Sequence, residues 1–151
     1  MSAGSSAAAS TLVRYEVREG IAYFTLDDPP ANTYTHEMMR QLDEAILRAR
    51  FDADVHVIVL IGQETATRPW VKYEIEKAWA DKKPLLGVRI HGLSSMGTVD
   101  RPGVSPFSAS SGIPVFDPTT LSWDGKIDSK ATYKKLVDNL EWWSAQGKVR
   151  S

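Results

Sequence analysis

Apolar positions along the chain change period several times, and each change marks an element. Leu12 to Val17 and Ile21 to Leu26 are alternating or continuous apolar runs separated by Arg18-Glu19-Gly20. Gly20 takes a positive φ without steric cost, so the pattern predicts a β-hairpin. Asp27-Asp28-Pro29-Pro30 stops the second strand, because proline cannot donate to the ladder. Helical spacing follows at Met38, Leu42, Ala45, Ile46 and Ala49, with Thr35 as N-cap and an end near Phe51. Val55 to Ile61 is a β-branched run bounded by Asp54 and Gly62, as expected of a parallel strand covered on both faces.

The remainder alternates in the same way. Thr67 is placed to cap a helix with Pro69 in its first turn and Val71, Ile75, Ala78 and Trp79 on its buried stripe. Leu85 to Ile90 reads as the next parallel strand. Residues 92 to 112, rich in Gly, Ser and Pro, predict a long functional or mobile loop. Pro114-Val115-Phe116 makes a short edge strand. Ser129 caps a last helix with Tyr133, Leu136, Val137, Leu140 and Trp143 as its stripe; of the neighbours Trp142 and Trp143, only one can face the core. The order predicts a three-layer α/β domain over 12–151, with a mostly parallel sheet and an N-terminal β-hairpin. Met1 to Ser10 are almost all Ala, Ser and Gly and predict a mobile tail, with 1–11 outside the domain.

Composition narrows the function. The chain has 151 residues, about one domain's worth, and no cysteine, so neither disulfides nor thiolate metal sites are available. A formal charge of −1 offers no basic field for nucleic acid or an anionic membrane. No apolar run approaches the roughly 20 residues that span a bilayer. Without a signal-peptide pattern the expected location is the cytoplasm.

No complete catalytic constellation is present. His36, His56 and His91 are scattered and lack metal-ligand spacing such as H-E-x-x-H. His56 suits a structural place at a strand start, and His36 a solvent-facing first helical turn. His91 ends a parallel strand, where ligands bind in open α/β sheets. Glu74 falls between Trp70 and Ala78 at the margin of its helix stripe. A carboxylate held against an indole is partly desolvated, which raises its pKa toward values useful in proton transfer. The plainer reading is an edge glutamate paired with Lys77 at i+3. No phosphate-cradling glycine pattern and no G-x-S-x-G elbow occur.

Two resemblances sharpen this picture. Ile61-Gly62-Gln63-Glu64-Thr65-Ala66-Thr67-Arg68-Pro69-Trp70-Val71-Lys72-Tyr73-Glu74-Ile75, continued by Lys83 to His91 and Pro106-Phe107, resembles the bacterial TIR-like domains of anti-phage defence. That resemblance implies a flavodoxin-like sheet and NAD⁺ cleavage or nucleotide signalling, with NAD⁺ as substrate and no required cofactor. It puts Glu74 on the family's catalytic glutamate, puts Trp70 and His91 near the nucleotide, and implies homo-oligomers. Val13 to Leu26 and Pro29-Pro30-Ala31-Asn32-Thr33 resemble instead the start of crotonase-superfamily (enoyl-CoA hydratase-like) proteins. The oxyanion-hole glycines expected there are replaced by Gln63-Glu64-Thr65, so hydratase activity is not expected. The expectation is a chimera of 12–61 and 62–151, joined within residues 55–62. Three functions stay open: a weak NAD⁺ nucleosidase, an inactive engineered chimera, and a nucleotide- or coenzyme A-binding module using Pro30 to Asn32.

Overall fold

A computed structural model describes residues 10–31 and 33–151. The expected tail, apart from Ser10 and Thr11, and Asn32 of the expected coenzyme A contact lie outside the described residues. The described residues divide into two compact units, one within 10–18 and 22–52, the other of 19–21 and 53–151.

The first unit holds one helix and the two strands of a β-hairpin, except for residues 19–21 at the turn. Strands β1 (Val13–Arg18) and β2 (Ile21–Leu26) form a two-stranded sheet. Their turn uses Glu19 at φ 48° and Gly20 at φ 79°, the double positive φ of a type I′ turn, whose twist matches the strands. Helix α1 (His36–Phe51) starts at Thr35, whose hydroxyl accepts the Met38 N–H at 3.2 Å. Val13, Met38 and Ala45 form the buried centre of this unit, with Leu12, Tyr15, Phe24, Leu26 and Leu42 around them. Ile46, expected on the buried stripe, is 50% exposed: a two-stranded sheet is too narrow to cover the full apolar arc. A polar relay binds helix to strand. The Gln41 side chain accepts the Leu12 and Val13 N–H groups at 2.8 and 3.2 Å and donates to Ser10 O and to Glu37.

In the second unit, β3 (Val57–Ile61), β4 (Leu85–Arg89) and β7 (Val115–Phe116) form a parallel sheet in the order β3-β4-β7. The register pairs Val57 with Leu85 and Gly87 with Val115. The two-residue side-chain period then sorts the layers. Val57, Val59, Ile61, Leu85 and Val115 pack with Val71, Ile75, Ala78 and Trp79 of α2 (Pro69–Ala80). Ile58, Leu86, Val88 and Phe116 pack with Leu136 and Trp143 of α3 (Ser129–Ser144). This is the α/β architecture expected, helix on both faces of a parallel sheet, with the short β7 at an edge.

Local details differ from the sequence reading for identifiable reasons. The first strand residue of β3 is Val57, not Val55; His56 precedes it and donates its N–H to Gly20 O at 2.9 Å. Thr67 does not cap α2. It ends a 3₁₀ turn over Thr65–Thr67 and donates its hydroxyl to Glu64 O at 2.8 Å, so the capping position falls to Arg68, which makes no side-chain cap. Ser129 does not cap α3 either. Asp128 does, accepting the Ala131 N–H at 2.9 Å, while Ser129 Oγ accepts the Ser94 N–H. The α3 stripe is turned from the expected one: Tyr133 and Val137 are exposed, and Thr132 and Ser144 are fully buried. Thr132 is held there by accepting the Thr120 N–H at 3.0 Å. Trp143 is the core tryptophan and stacks on Phe116 at 5.1 Å, whereas Trp142 is 61% exposed.

Residues 92–112 are not structureless. They hold a small antiparallel pair, β5 (Ser94–Ser95) and β6 (Thr98–Val99), turned at Met96-Gly97, and a 3₁₀ turn at Ala109–Ser111. Two contacts clamp the segment down: Phe107 enters the α2-side core, and Arg89 Nη1 donates to Gly103 O at 2.6 Å.

Candidate functional site

Parallel pairing brings the carboxyl ends of β3, β4 and β7 to one side of the second unit. The residues that follow them are Gly62 to Thr65, Ile90 to Gly92 and Asp117 to Thr119. Thr65 finishes the first of these ends. Its hydroxyl accepts the Gly62 N–H at 2.9 Å and donates to Leu60 O at 3.2 Å, standing in for a neighbouring strand. Beside it lies a cavity of about 380 Å³ lined by Leu60, Gln63, Glu64, Thr65, Arg68, Val71 and Asp100. Its polar walls are set by the 3₁₀ turn, with Arg68 Nη2 bonded to Glu64 Oε2 at 2.5 Å. Gly103 passes so close that a Cβ there would stand 2.1 Å from Gly62 O, so only glycine lets the 92–112 segment reach this edge.

His91 lies two residues beyond the end of β4, close to the expected place, but it is 7% exposed and built into the floor. Its Nε2 lies 3.2 Å from Thr119 Oγ1, and its carbonyl accepts the Asp100 N–H at 3.1 Å. Nδ1 is buried with no partner among the described residues. Gly92 is equally confined, since a Cβ there would meet Thr119 and Thr132 at 3.0 and 3.1 Å. Partial loss of water pushes the Asp117 carboxyl up. Hydrogen bonds from the Thr119 hydroxyl and N–H, with the charges of His91 and Arg89, outweigh this and hold it below the ordinary carboxylate range.

Glu74 and Trp70 stand differently from the wheel reading. Glu74 is exposed, and Trp70 is 77% exposed with its ring edge-on to Tyr73 at 6.4 Å. The indole therefore does not shelter the carboxylate. Lys77 reaches Asp81 at 3.3 Å, so the plainer pairing reading is also not what forms. Glu74 stands one helical turn beyond Val71, which lines the cavity. His36 is exposed, and His56 is structural, its Nδ1 2.7 Å from Ser144 O. Gln63, Glu64, Arg68 and Asp100 were not singled out from the sequence. The signal available was position alone: Gln63 and Glu64 closely follow a parallel strand. Among the described residues no group of His, Asp and Glu could hold a metal ion, and no helix is long and apolar enough to cross a membrane.

In a parallel α/β sheet the crevice at the carboxyl ends of the strands is the place where ligands bind, and the polar cavity lies at that end of β3. Residues 23–95 match the model of the family described as Thoeris protein ThsB, TIR-like domain. The match covers just under half of the chain, includes Glu74, and supports the TIR-like reading with its anti-phage defence setting. It starts in β2 and runs across 55–62, and it lends nothing to a crotonase-like part or a chimera. No curated protein matches the chain.

Proposed function

We propose that the chain is a TIR-like defence domain that handles a nicotinamide dinucleotide at the carboxyl end of β3, with Glu74 as the group that meets the ribose. The family match over the helix that carries Glu74, beside the polar cavity, is the observation that supports this most. In the reaction, water replaces nicotinamide at the ribose carbon. The glycosidic bond breaks with its electron pair going to the nicotinamide ring, and the water proton is released to solvent. A carboxylate such as Glu74 serves this chemistry by stabilising the positive charge that develops on the ribose. Trp70 and His91 are proposed near the nucleotide, His91 as part of the floor. Because Glu74 stands in solvent, turnover is expected to be weak. Incubation with NAD⁺ should release nicotinamide in the wild type and not in Glu74→Gln; equal release by both removes Glu74 from the reaction.

A second reading is an inactive chimera of crotonase-like and TIR-like segments. The exposure of Glu74 favours the inactivity of this reading, whereas the family match runs across the expected seam and the hairpin residues 19–21 group with 53–151. No turnover, a cooperative melt, and no thermal shift from NAD⁺ or coenzyme A would support it. A shift with coenzyme A alone would support the binding-module reading at Pro30 to Asn32.

A further inference from the structure

An open cavity of about 840 Å³ lies in the first unit between β1 and α1. Val13 and Tyr15 from one face of β1 and Arg14 and Glu16 from the other all line it, so it wraps the outer edge of the strand. The backbone of that edge is engaged where Gln41 accepts the Leu12 and Val13 N–H groups at 2.8 and 3.2 Å. A ligand here meets side chains, and the charged ones are Arg14, Arg40 and Arg48 with Glu16 and Glu44. The arginines differ in what already holds them. Arg14 is bonded to Asp27 at 2.7 Å. Arg40 reaches Glu37 through Nε and Nη2 at 3.0 and 2.6 Å, and Glu44 through Nη1 at 2.5 Å. Arg48 has no carboxylate partner among the described residues; its guanidinium lies 4.4 Å over the Tyr15 ring. The Tyr15 hydroxyl donates to Asp52 at 2.8 Å, which fixes the ring beneath it.

A guanidinium stacked on a ring keeps its N–H donors in its own plane, and that planar fork matches two oxygens of a phosphate. The carboxylates set what the rest of the ligand is. Glu44 meets Arg40, and Glu16 meets Arg18 at 3.3 Å, each through Oε1. An ionised carboxylate accepts about four hydrogen bonds, so both keep acceptor capacity on the cavity. Two negative groups repel a polyanion but accept readily from hydroxyls. We propose that this cavity binds a sugar monophosphate. The phosphate sits on the Arg48 fork, with Arg14 and Arg40 adding positive charge, and the sugar hydroxyls donate to Glu16 and Glu44. Small-ligand sites run to about 300–1,000 Å³, so the cavity has room for a pentose phosphate. All of these residues belong to the first unit, and the proposal does not depend on any role for Glu74.

Ribose 5-phosphate is the probe. Titrated into the full chain at low ionic strength and followed by amide NMR, it should bind saturably. A ligand so small in an open site should show a dissociation constant on the order of a millimolar. The shifts should centre on the residues that line the cavity. Arg48→Gln should weaken binding about tenfold or more, because it removes a charge-assisted pair. Arg48→Lys keeps the charge but not the fork, and its affinity should fall between the two. Arg50→Gln removes an equal charge from the same last turn of α1, at a guanidinium placed over Phe51, and should change binding by less than about twofold. Glu16→Ala should narrow the preference for ribose 5-phosphate over inorganic phosphate, since it deletes a hydroxyl acceptor and not a phosphate donor. Glu16, Arg48 and Arg50 are exposed, so these variants should keep the fold, which circular dichroism checks. Absence of saturation at concentrations on the order of ten millimolar overturns the proposal. Equal weakening by Arg48→Gln and Arg50→Gln also overturns it, as does glucuronate bound as tightly as ribose 5-phosphate.

Discussion

Gly87 illustrates how a single residue carries the packing of the second unit. A Cβ there would stand 2.7 Å from Ile61 Cδ1, 2.8 Å from Phe107 and 3.3 Å from Val115. Gly87→Ala therefore overpacks the α2 side of the sheet and should cost about 1–3 kcal/mol in chemical denaturation. Trp142 and Trp143 separate in the same way. Trp143 is 5% exposed and stacked on Phe116, so Trp143→Ala should cost about 3–5 kcal/mol. Trp142 is 61% exposed with its ring edge-on to Phe116 at 6.2 Å, and Trp142→Ala should cost about 0.5–1.5 kcal/mol. Asp117 gives a pH signature. Its folded-state pKa is depressed, so its contribution is complete above the unfolded value near 3.9 and is lost as pH falls through the lower folded value. The stability gap between wild type and Asp117→Asn, measured by urea titration, should be open at pH 7 and narrow as pH falls below the unfolded carboxylate value. At this scale the sequence reading found the places of His91 and Trp143, but not the exposure of Glu74. Wheel position says which side of a helix a residue is on; only packing says how far cover extends.

At the scale of elements, the helix starts separate what composition shows from what geometry adds. Thr35, Thr67 and Ser129 all looked like caps, since each is a short hydroxyl residue before an apolar run. Only Thr35 acts so. Asp128→Ala should cost about 1 kcal/mol in stability, and Thr67→Ala should lower it by less than half of that through any cap effect. Measured on the same denaturation curves, the reverse ranking would mean that α2 and α3 begin elsewhere. Cap identity was illegible because the residues compete: Thr67 finds Glu64 O, and Ser129 finds the Ser94 N–H, partners 3 and 35 residues away. The local order within the 92–112 segment was illegible for a related reason. Its order comes from Arg89, Phe107 and the β5–β6 pair, none of which a count of glycine and serine reveals.

At the scale of the molecule, the question is how the two compact units share stability. We propose that residues 12–151 unfold as one domain; calorimetry should then give a single transition with equal calorimetric and van 't Hoff enthalpies. Two resolved transitions would assign each unit its own folding. The amino-acid order by itself determined the alternation of strands and helices, the parallel sheet with its hairpin, and the absence of thiol chemistry, because these follow from period and composition, which are local. It also carried the W-V-x-Y-E-I block that the family match supports. Tertiary structure alone decided that His91 is a buried floor residue, that Glu74 stands in solvent, that Gln63, Glu64, Arg68 and Asp100 surround one cavity, and that the chain gathers into two units. Those outcomes depend on which strands meet and how wide each sheet is, and such long-range distances leave no trace in the periodicity of a single segment.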